Sequence, residues 1–155
     1  MKSKTESLLE LWIESRTRFS NQLKDITDSD LSKKLENSTN SIGFLIRHIG
    51  DVELLFAKNV FGDSSVKISA KTVIDKIDTG EWTDVEVLKK YVSESFEKLK
   101  SIVEKQTEHD WETIITTKEF GAKTKAEAFG RIVSHTAYHA GQLAIINKYG
   151  KTQTL

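Results

Sequence analysis

The chain has 155 residues with 23 basic and 23 acidic side chains, so its formal net charge is zero. This balance gives no electrostatic reason to expect nucleic acid or an anionic membrane surface as a partner. The sequence contains no cysteine, which excludes disulfides and a catalytic thiol of its own and fits a cytoplasmic protein. No apolar run approaches the roughly 20 residues of a membrane span, and the polar first residues lack the apolar region of a signal peptide.

The length fits one domain over residues 1–155, and the absence of proline favours helix. The first predicted helix covers residues 5–26. Apolar side chains recur in it every three or four positions, with charged residues such as Arg16 elsewhere. Ser3-Lys4-Thr5-Glu6 matches a capping box at its start. Residues 31–35 are predicted to form a short helical turn.

A second helix is predicted over residues 42–60, after the polar segment 37–41, which offers several N-cap residues. Residues 62–82 are the least periodic part of the chain. This weak periodicity predicts a long crossover loop with a short helix near residues 70–77. Loops of this length in compact domains are usually functional or mobile.

The third predicted helix starts at the capping box Thr83-Asp84-Val85-Glu86 and continues to about Thr107. The following segment, 114–117, is rich in β-branched residues and ends at Phe120-Gly121. This pattern predicts a short extended segment or hairpin.

The fourth predicted helix begins at the capping box Thr124-Lys125-Ala126-Glu127 and runs to about Tyr149, where Gly150 ends it. Four helices of roughly 20 residues, each with one apolar face, predict an all-α four-helix bundle. Neither an internal repeat nor a second domain is visible in the sequence.

Two histidines of the last helix, His135 and His139, lie one helical turn apart on the same face. Projection at about 100° per residue places both at the edge of the apolar face, about 40° apart. An edge position suits metal ligands that open toward a groove between helices. Two histidines at this spacing, without a third ligand, also arise often by chance.

His48 lies in the middle of the apolar stripe of the second helix. A histidine there needs a hydrogen-bond partner or a metal, and by itself it is more often a hydrogen-bonded core residue. The conjunction with His135 and His139 favours a divalent-metal site with positions left open for water or substrate. Zn, Ni, Co and Fe(II) are all candidates. His109, beside Asp110 in a polar loop, is predicted to be an ordinary surface residue.

The chain resembles the DinB-like superfamily of metal-binding four-helix bundles in the order of its elements. The likeness also rests on the helix-2 histidine in Phe44–Ile49, the late stretch His135–Leu143 and the segment Phe120–Thr124. It spans nearly the whole chain and implies a metal held by the three histidines named above. It further implies an up-down-down-up bundle with a long crossover between helices 2 and 3, and commonly a homodimer.

Members of this family with known activity are bacillithiol S-transferases and mycothiol-dependent isomerases. The resemblance therefore implies a metal-dependent thiol S-transferase that acts on small electrophiles, with a low-molecular-weight thiol as cosubstrate. A protein without cysteine is compatible with this chemistry because the nucleophile arrives with the cosubstrate. Asp51, one turn beyond His48, is a candidate outer partner of the site or a proton-handling group. Tyr138 and Gln142 are weaker candidates for the pocket rim.

Three other functions stay open at this point. The same histidines suit metal-dependent hydrolysis, in which Asp51 would be the general base for an activated water. They also suit a non-catalytic bundle that binds a metal or a ligand. A metal-free interaction protein is the third alternative. In the enzymatic interpretations the partner is a small-molecule substrate.

Overall fold

The computed structural model describes residues 2–152, in which four long helices dominate. The helices are α1 (Lys4–Leu23), α2 (Ile42–Asn59), α3 (Lys71–Ile74), α4 (Val85–Val103), α5 (Glu108–Glu112) and α6 (Lys125–Tyr149). Two antiparallel strand pairs accompany them: β1 (Lys33–Lys34) with β4 (Lys151–Thr152), and β2 (Ile114–Thr117) with β3 (Gly121–Thr124). The predicted all-α bundle is confirmed, as is the predicted hairpin.

Contacts at matching intervals show that α1 and α6 run parallel. Ser15 Oγ donates to the carbonyl of Val133 at 2.8 Å. Seven residues further along both helices, Gln22 Nε2 donates to the carbonyl of Ala140 at 2.9 Å. Because both contacts advance together, the two helices have the same direction.

The helices α2 and α4 are also parallel to each other. Gly50 lies against the ring of Tyr91, and three to four residues later Ser95 Oγ donates to Glu53 at 2.5 Å. The α1 helix runs opposite to α4, because Arg16 contacts Val92 while Trp12, earlier in α1, packs on Phe96, later in α4. These directions give an up-down-down-up bundle in which residues 60–84 form the long crossover.

Both predicted boundaries of the third long helix are wrong because side chains cap different positions, and the first helix ends at Leu23 instead of residue 26. The predicted capping box at Thr83 does not form: Asp84 is the N-cap, and its carboxylate accepts from Val87 N at 2.9 Å. The third long helix ends at Val103 instead of continuing to Thr107. Thr107 is instead the N-cap of the separate helix α5, in a capping box with Asp110.

The predicted turn at residues 31–35 is also wrong. A 3₁₀ turn forms earlier, at Asp28–Asp30, where the Asp30 carboxylate accepts from Thr27 N at 2.9 Å. Residues 33–34 are extended because they pair with 151–152 at the other end of the chain. That pairing is non-local and leaves no trace in local periodicity. The predicted boxes at Ser3 and Thr124 are confirmed.

A buried ion pair ties three helices together. Arg16 was expected outside the apolar positions of α1, but it lies on the buried stripe and is 7% exposed. Its Nε donates to Glu53 Oε1 at 2.7 Å, and Glu53 is fully buried on α2. Burial raises the pKa of Glu53, while Arg16 and the hydroxyl of Ser95 on α4 oppose that rise.

Among the helices of residues 2–152, none is long and apolar enough to cross a membrane. The predicted homodimer stays a prediction.

Candidate metal centre

Three histidines converge between α2 and α6. His48 comes from α2, and His135 and His139 come from α6; each offers one ring nitrogen, and these atoms lie within 4.8 Å of one another. The Nε2 atoms of His48 and His135 are 3.1 Å apart. With metal–nitrogen bonds of about 2.0–2.1 Å in a tetrahedral site, two ligand nitrogens are separated by about 3.3 Å. The spacing therefore fits a shared divalent ion.

Helical geometry explains why the two histidines of α6 point the same way. Thr136, Ala140 and Leu143 form the buried face of this helix. His135 and His139 lie beside that face and are half-buried. Their predicted edge position is confirmed.

On α2, His48 is half-buried against the core. The neighbouring residues Phe44 and Leu45 are buried, and the Phe44 ring stacks on the imidazole with a centroid separation of 5.9 Å and an interplanar angle of 10°. The aromatic contact limits rotation of the ring. Part of the site therefore has an apolar wall.

Burial keeps the three imidazoles neutral near pH 7. Desolvation lowers the pKa of His48 to about 4 and that of His135 to about 3, and the proximity of His139 adds to both shifts. Burial also lowers the pKa of His139, against an opposing hydrogen bond with Gln142. Neutral imidazole is the form that binds a metal.

Gln142 orients His139. The Gln142 Oε1 atom lies 2.6 Å from His139 Nδ1, and because an amide oxygen only accepts, the imidazole carries its proton on Nδ1. The Gln142 Nε2 atom donates to the hydroxyl of Tyr138 at 3.0 Å. His139 is thus left with a free lone pair on Nε2, which is the condition for a metal ligand.

The three imidazoles do not form a closed hydrogen-bond network. His135 Nδ1 is buried and has no hydrogen-bond partner within residues 2–152. Its Nε2 atom meets only another neutral ring nitrogen, that of His48. Three nitrogen donors without a carboxylate suit Zn, Ni, Co or Fe(II).

Asp51 lies one turn beyond His48 on α2 and makes no direct hydrogen bond with it. It is fully buried, and its carboxylate accepts from Arg47 Nε at 2.8 Å, Tyr91 Oη at 2.5 Å and Thr72 Oγ1 at 2.7 Å. Thr72 Oγ1 in turn lies 3.1 Å from His48 Nδ1. Asp51 therefore reaches the histidine through one intervening hydroxyl.

Tyr91 reaches Asp51 because α4 approaches α2 closely at Gly50. A Cβ atom at Gly50 would lie 2.6 Å from the Tyr91 ring. Burial and the neighbouring Asp51 carboxylate raise the pKa of Tyr91, so its hydroxyl stays protonated and donates. Thr72 and Tyr91 have no local signature in the sequence. The length of the crossover that carries Thr72 is the one signal that pointed to this region.

His109 is exposed, as predicted, but it lies on the short helix α5 instead of in a loop. It is not part of the histidine group.

The fold and the site together define a helical-bundle protein with a candidate divalent-metal centre between two of its helices. The sequence model of the DinB superfamily matches residues 11–143, so the chain belongs to this superfamily. The resemblance inferred from the sequence is confirmed.

Solved structures with the same fold agree with this assignment. A DinB-like protein from Bacillus subtilis is 21% identical, with a TM-score of 0.68 over 92% of this chain and 90% of that chain. The mycothiol-dependent maleylpyruvate isomerase is 18% identical, with a TM-score of 0.69 over 91% of this chain and 61% of that chain. A histidine-to-alanine variant of that isomerase gives a TM-score of 0.67 at the same identity and coverage. The comparison with curated proteins finds no match.

Acidification is expected to destabilise the metal-free protein. Folding lowers the pKa of His48 and His135 from 6.5 to about 4 and about 3, so the unfolded state binds more protons below pH 6.5. This contribution to stability is fully present above pH 6.5 and is lost as the pH falls toward the folded-state pKa values. Urea unfolding at about pH 7 and about pH 5 measures the loss.

The matched variant for this measurement is His135→Gln, which has no titrating ring. Its free energy of unfolding should fall less between the two pH values than that of the parent protein. Equal pH dependence in both proteins would contradict the assignment of the lowered pKa to His135.

Proposed function

We propose that the protein is a divalent-metal-dependent enzyme that transfers a low-molecular-weight thiol to a small electrophile. The observation that carries the proposal is the convergence of three neutral, half-buried imidazoles from two helices, all of which solvent can reach in part. Three protein ligands with an open position are the pattern of catalytic zinc, whereas structural zinc normally has four ligands. The similar fold of a mycothiol-dependent isomerase supports thiol chemistry at such a site.

His48, His135 and His139 would hold the ion. A divalent ion at this position would lower the pKa of a thiol and so make it nucleophilic at neutral pH. The sequence contains no cysteine, so the sulfur nucleophile would come from a cosubstrate. Gln142 and Tyr138 hold the His139 ring in the tautomer that leaves Nε2 free.

A small groove adjoins Gln142, and none of the three histidines lines it. It has a volume of about 110 Å³, and Gln142, which contacts His139, forms part of its wall. This volume is below the roughly 300–1,000 Å³ of pockets for drug-sized ligands, so the groove would admit only a small molecule. Its lining mixes polar and apolar side chains: Leu35, Ser38, Asn40, Leu45, Gln142, Ile145 and Ile146.

Hydrolysis with Asp51 as general base is the weaker alternative. Each oxygen of this carboxylate already accepts hydrogen bonds, Oδ1 from Arg47 and Tyr91, and Oδ2 from Thr72. A buried carboxylate with these donors has no free lone pair directed at a water beside the ion. The geometry favours a positioning role for Asp51.

Protein loaded with Zn²⁺, Ni²⁺, Co²⁺ or Fe²⁺ in turn is expected to consume bacillithiol or mycothiol in the presence of small electrophiles. Thiol loss is followed with a colorimetric reagent, and product is identified by mass spectrometry. His135→Ala should lose the activity, whereas His109→Ala, which changes the same residue type on α5, should keep it. Turnover without added thiol would support the hydrolase instead, and metal binding without turnover would support a non-catalytic bundle.

A further inference from the structure

The crossover between α2 and α4 places one buried hydroxyl beside the histidine site. Thr72, on α3, is 2% exposed. Its Oγ1 atom has two polar neighbours on α2: Asp51 Oδ2 at 2.7 Å and His48 Nδ1 at 3.1 Å. The hydroxyl therefore bridges a carboxylate and an imidazole that are not hydrogen-bonded to each other directly.

The chemistry of the three groups fixes the direction of both hydrogen bonds. Asp51 is paired with the guanidinium of Arg47 at 2.8 Å, and a carboxylate only accepts. The hydroxyl of Thr72 has one proton, which must go to Asp51. Toward His48 it can then act only as an acceptor, so the imidazole carries its proton on Nδ1.

The consequence for His48 concerns its other nitrogen. With the proton on Nδ1, the lone pair is on Nε2, the atom that lies 3.1 Å from His135 Nε2. The opposite tautomer would place an N–H group at the centre of the histidine cluster. That tautomer could not bind a metal there.

The carboxylate of Asp51, which accepts the proton of Thr72, is held by donors from three elements. Besides Thr72, Asp51 accepts from Arg47 on its own helix and from Tyr91 on α4, and the backbone N–H of Thr72 also points at Oδ2 at 3.3 Å. These donors fix the carboxylate in one orientation. The position of Thr72 is therefore set by both the crossover and the bundle.

We propose that Thr72 is a positioning residue that selects the metal-binding tautomer of His48, with Asp51 directing its hydroxyl proton. The proposal rests on the metal site of the proposed function, and it does not depend on which reaction the site performs. Outer hydrogen-bond partners that fix the tautomer of a ligand histidine contribute about 10–100-fold to metal affinity.

Thr72→Val, which keeps the shape and removes the hydroxyl, tests the proposal with two measurements. In metal-free protein, ¹⁵N NMR of the imidazoles should show His48 protonated on Nδ1 in the parent protein and on Nε2, or on a mixture of both nitrogens, in the variant. Competition with a chromophoric chelator should show a loss of Zn²⁺ affinity of about 10–100-fold. Thr72→Ser, which retains the hydroxyl, should restore both properties.

The matched control is Thr5→Val, which removes another inter-element hydroxyl. Thr5 Oγ1 donates to Gln106 O at 2.7 Å and accepts from Trp111 Nε1 at 2.7 Å. None of these residues lies on α2 or α6, the helices that carry the three site histidines. Zn²⁺ affinity should not change in this variant. A loss equal to that of Thr72→Val would show that general destabilisation is the cause and would overturn the proposal.

A folded Thr72→Val protein with parental Zn²⁺ affinity and an Nδ1 proton on His48 would also overturn it. If the valine variant does not fold, Thr72→Ala answers the same question. Failure of the parent protein to bind Zn²⁺ would remove the metal site of the proposed function, and the tautomer measurement would then decide the role of Thr72 by itself. Failure to find thiol transfer would leave the outcome of both measurements unchanged.

Discussion

Alanine at His48, His135 or His139 is expected to lower the affinity for Zn²⁺ by more than about 100-fold, since loss of a mere outer partner of a ligand already costs about 10–100-fold. Each residue offers one of the three nitrogen donors in the described group, so each variant leaves two. Two imidazoles alone compete poorly with water and buffer for the ion. Metal analysis of protein purified without a nickel resin, followed by chelator competition, measures the effect.

His109→Ala is the matched control for these variants. It makes the same chemical change at an exposed residue of α5, away from the bundle groove. Its metal content should equal that of the parent protein. Parental metal content in any one of the three site variants would remove that residue from the ligand set.

Glu53→Gln is expected to lower the free energy of unfolding by about 3–5 kcal/mol, because it leaves a buried charge without its counter-ion. The side chain of Arg16 is 8% exposed and has Glu53 as its anionic partner. Its other hydrogen-bond partners, the carbonyl of Val92 and the hydroxyl of Ser20, are neutral. Urea unfolding followed by circular dichroism measures the change.

Two further proteins make this result specific to the buried pair. Arg16→Met combined with Glu53→Leu should recover most of the stability, because an apolar pair of similar volume avoids the cost of burying charge. Lys90→Ala breaks the exposed pair of Lys90 with Glu94 on the surface of α4 and should cost less than about 1 kcal/mol. The assigned role of the Arg16–Glu53 pair is refuted if Glu53→Gln costs no more than Lys90→Ala.

Helix positions follow from local sequence to within a few residues. The second predicted helix, 42–60, differs by one residue from α2, because Ser41 caps it locally by accepting from Phe44 N. The third ends early because Thr107 caps a new helix. Periodicity identifies the apolar face of a helix, whereas the residue at which the helix begins or ends depends on one capping side chain and the nearest backbone amides.

The histidine group was predictable because helix geometry decides which way each side chain points. The four-residue spacing places His135 and His139 on one face of their helix. The apolar residues around His48 predict that its side chain faces the core. The sequence could not supply the 3.1 Å separation of the Nε2 atoms of His48 and His135, which are 87 residues apart in the chain. That distance depends on how α2 and α6 pack.

By itself, the sequence determined the helical bundle and its three inward histidines, because these depend on spacing along single helices. The order of the elements and the histidine motifs indicated the family. Only the tertiary structure decided the partners of the buried charges and ligands. Thr72 meets His48 across 24 residues of chain, and Arg16 meets Glu53 across 37. The physical reason is that periodicity reports which face of a helix is buried. What that face meets is set by the path of the crossover and the packing of the bundle.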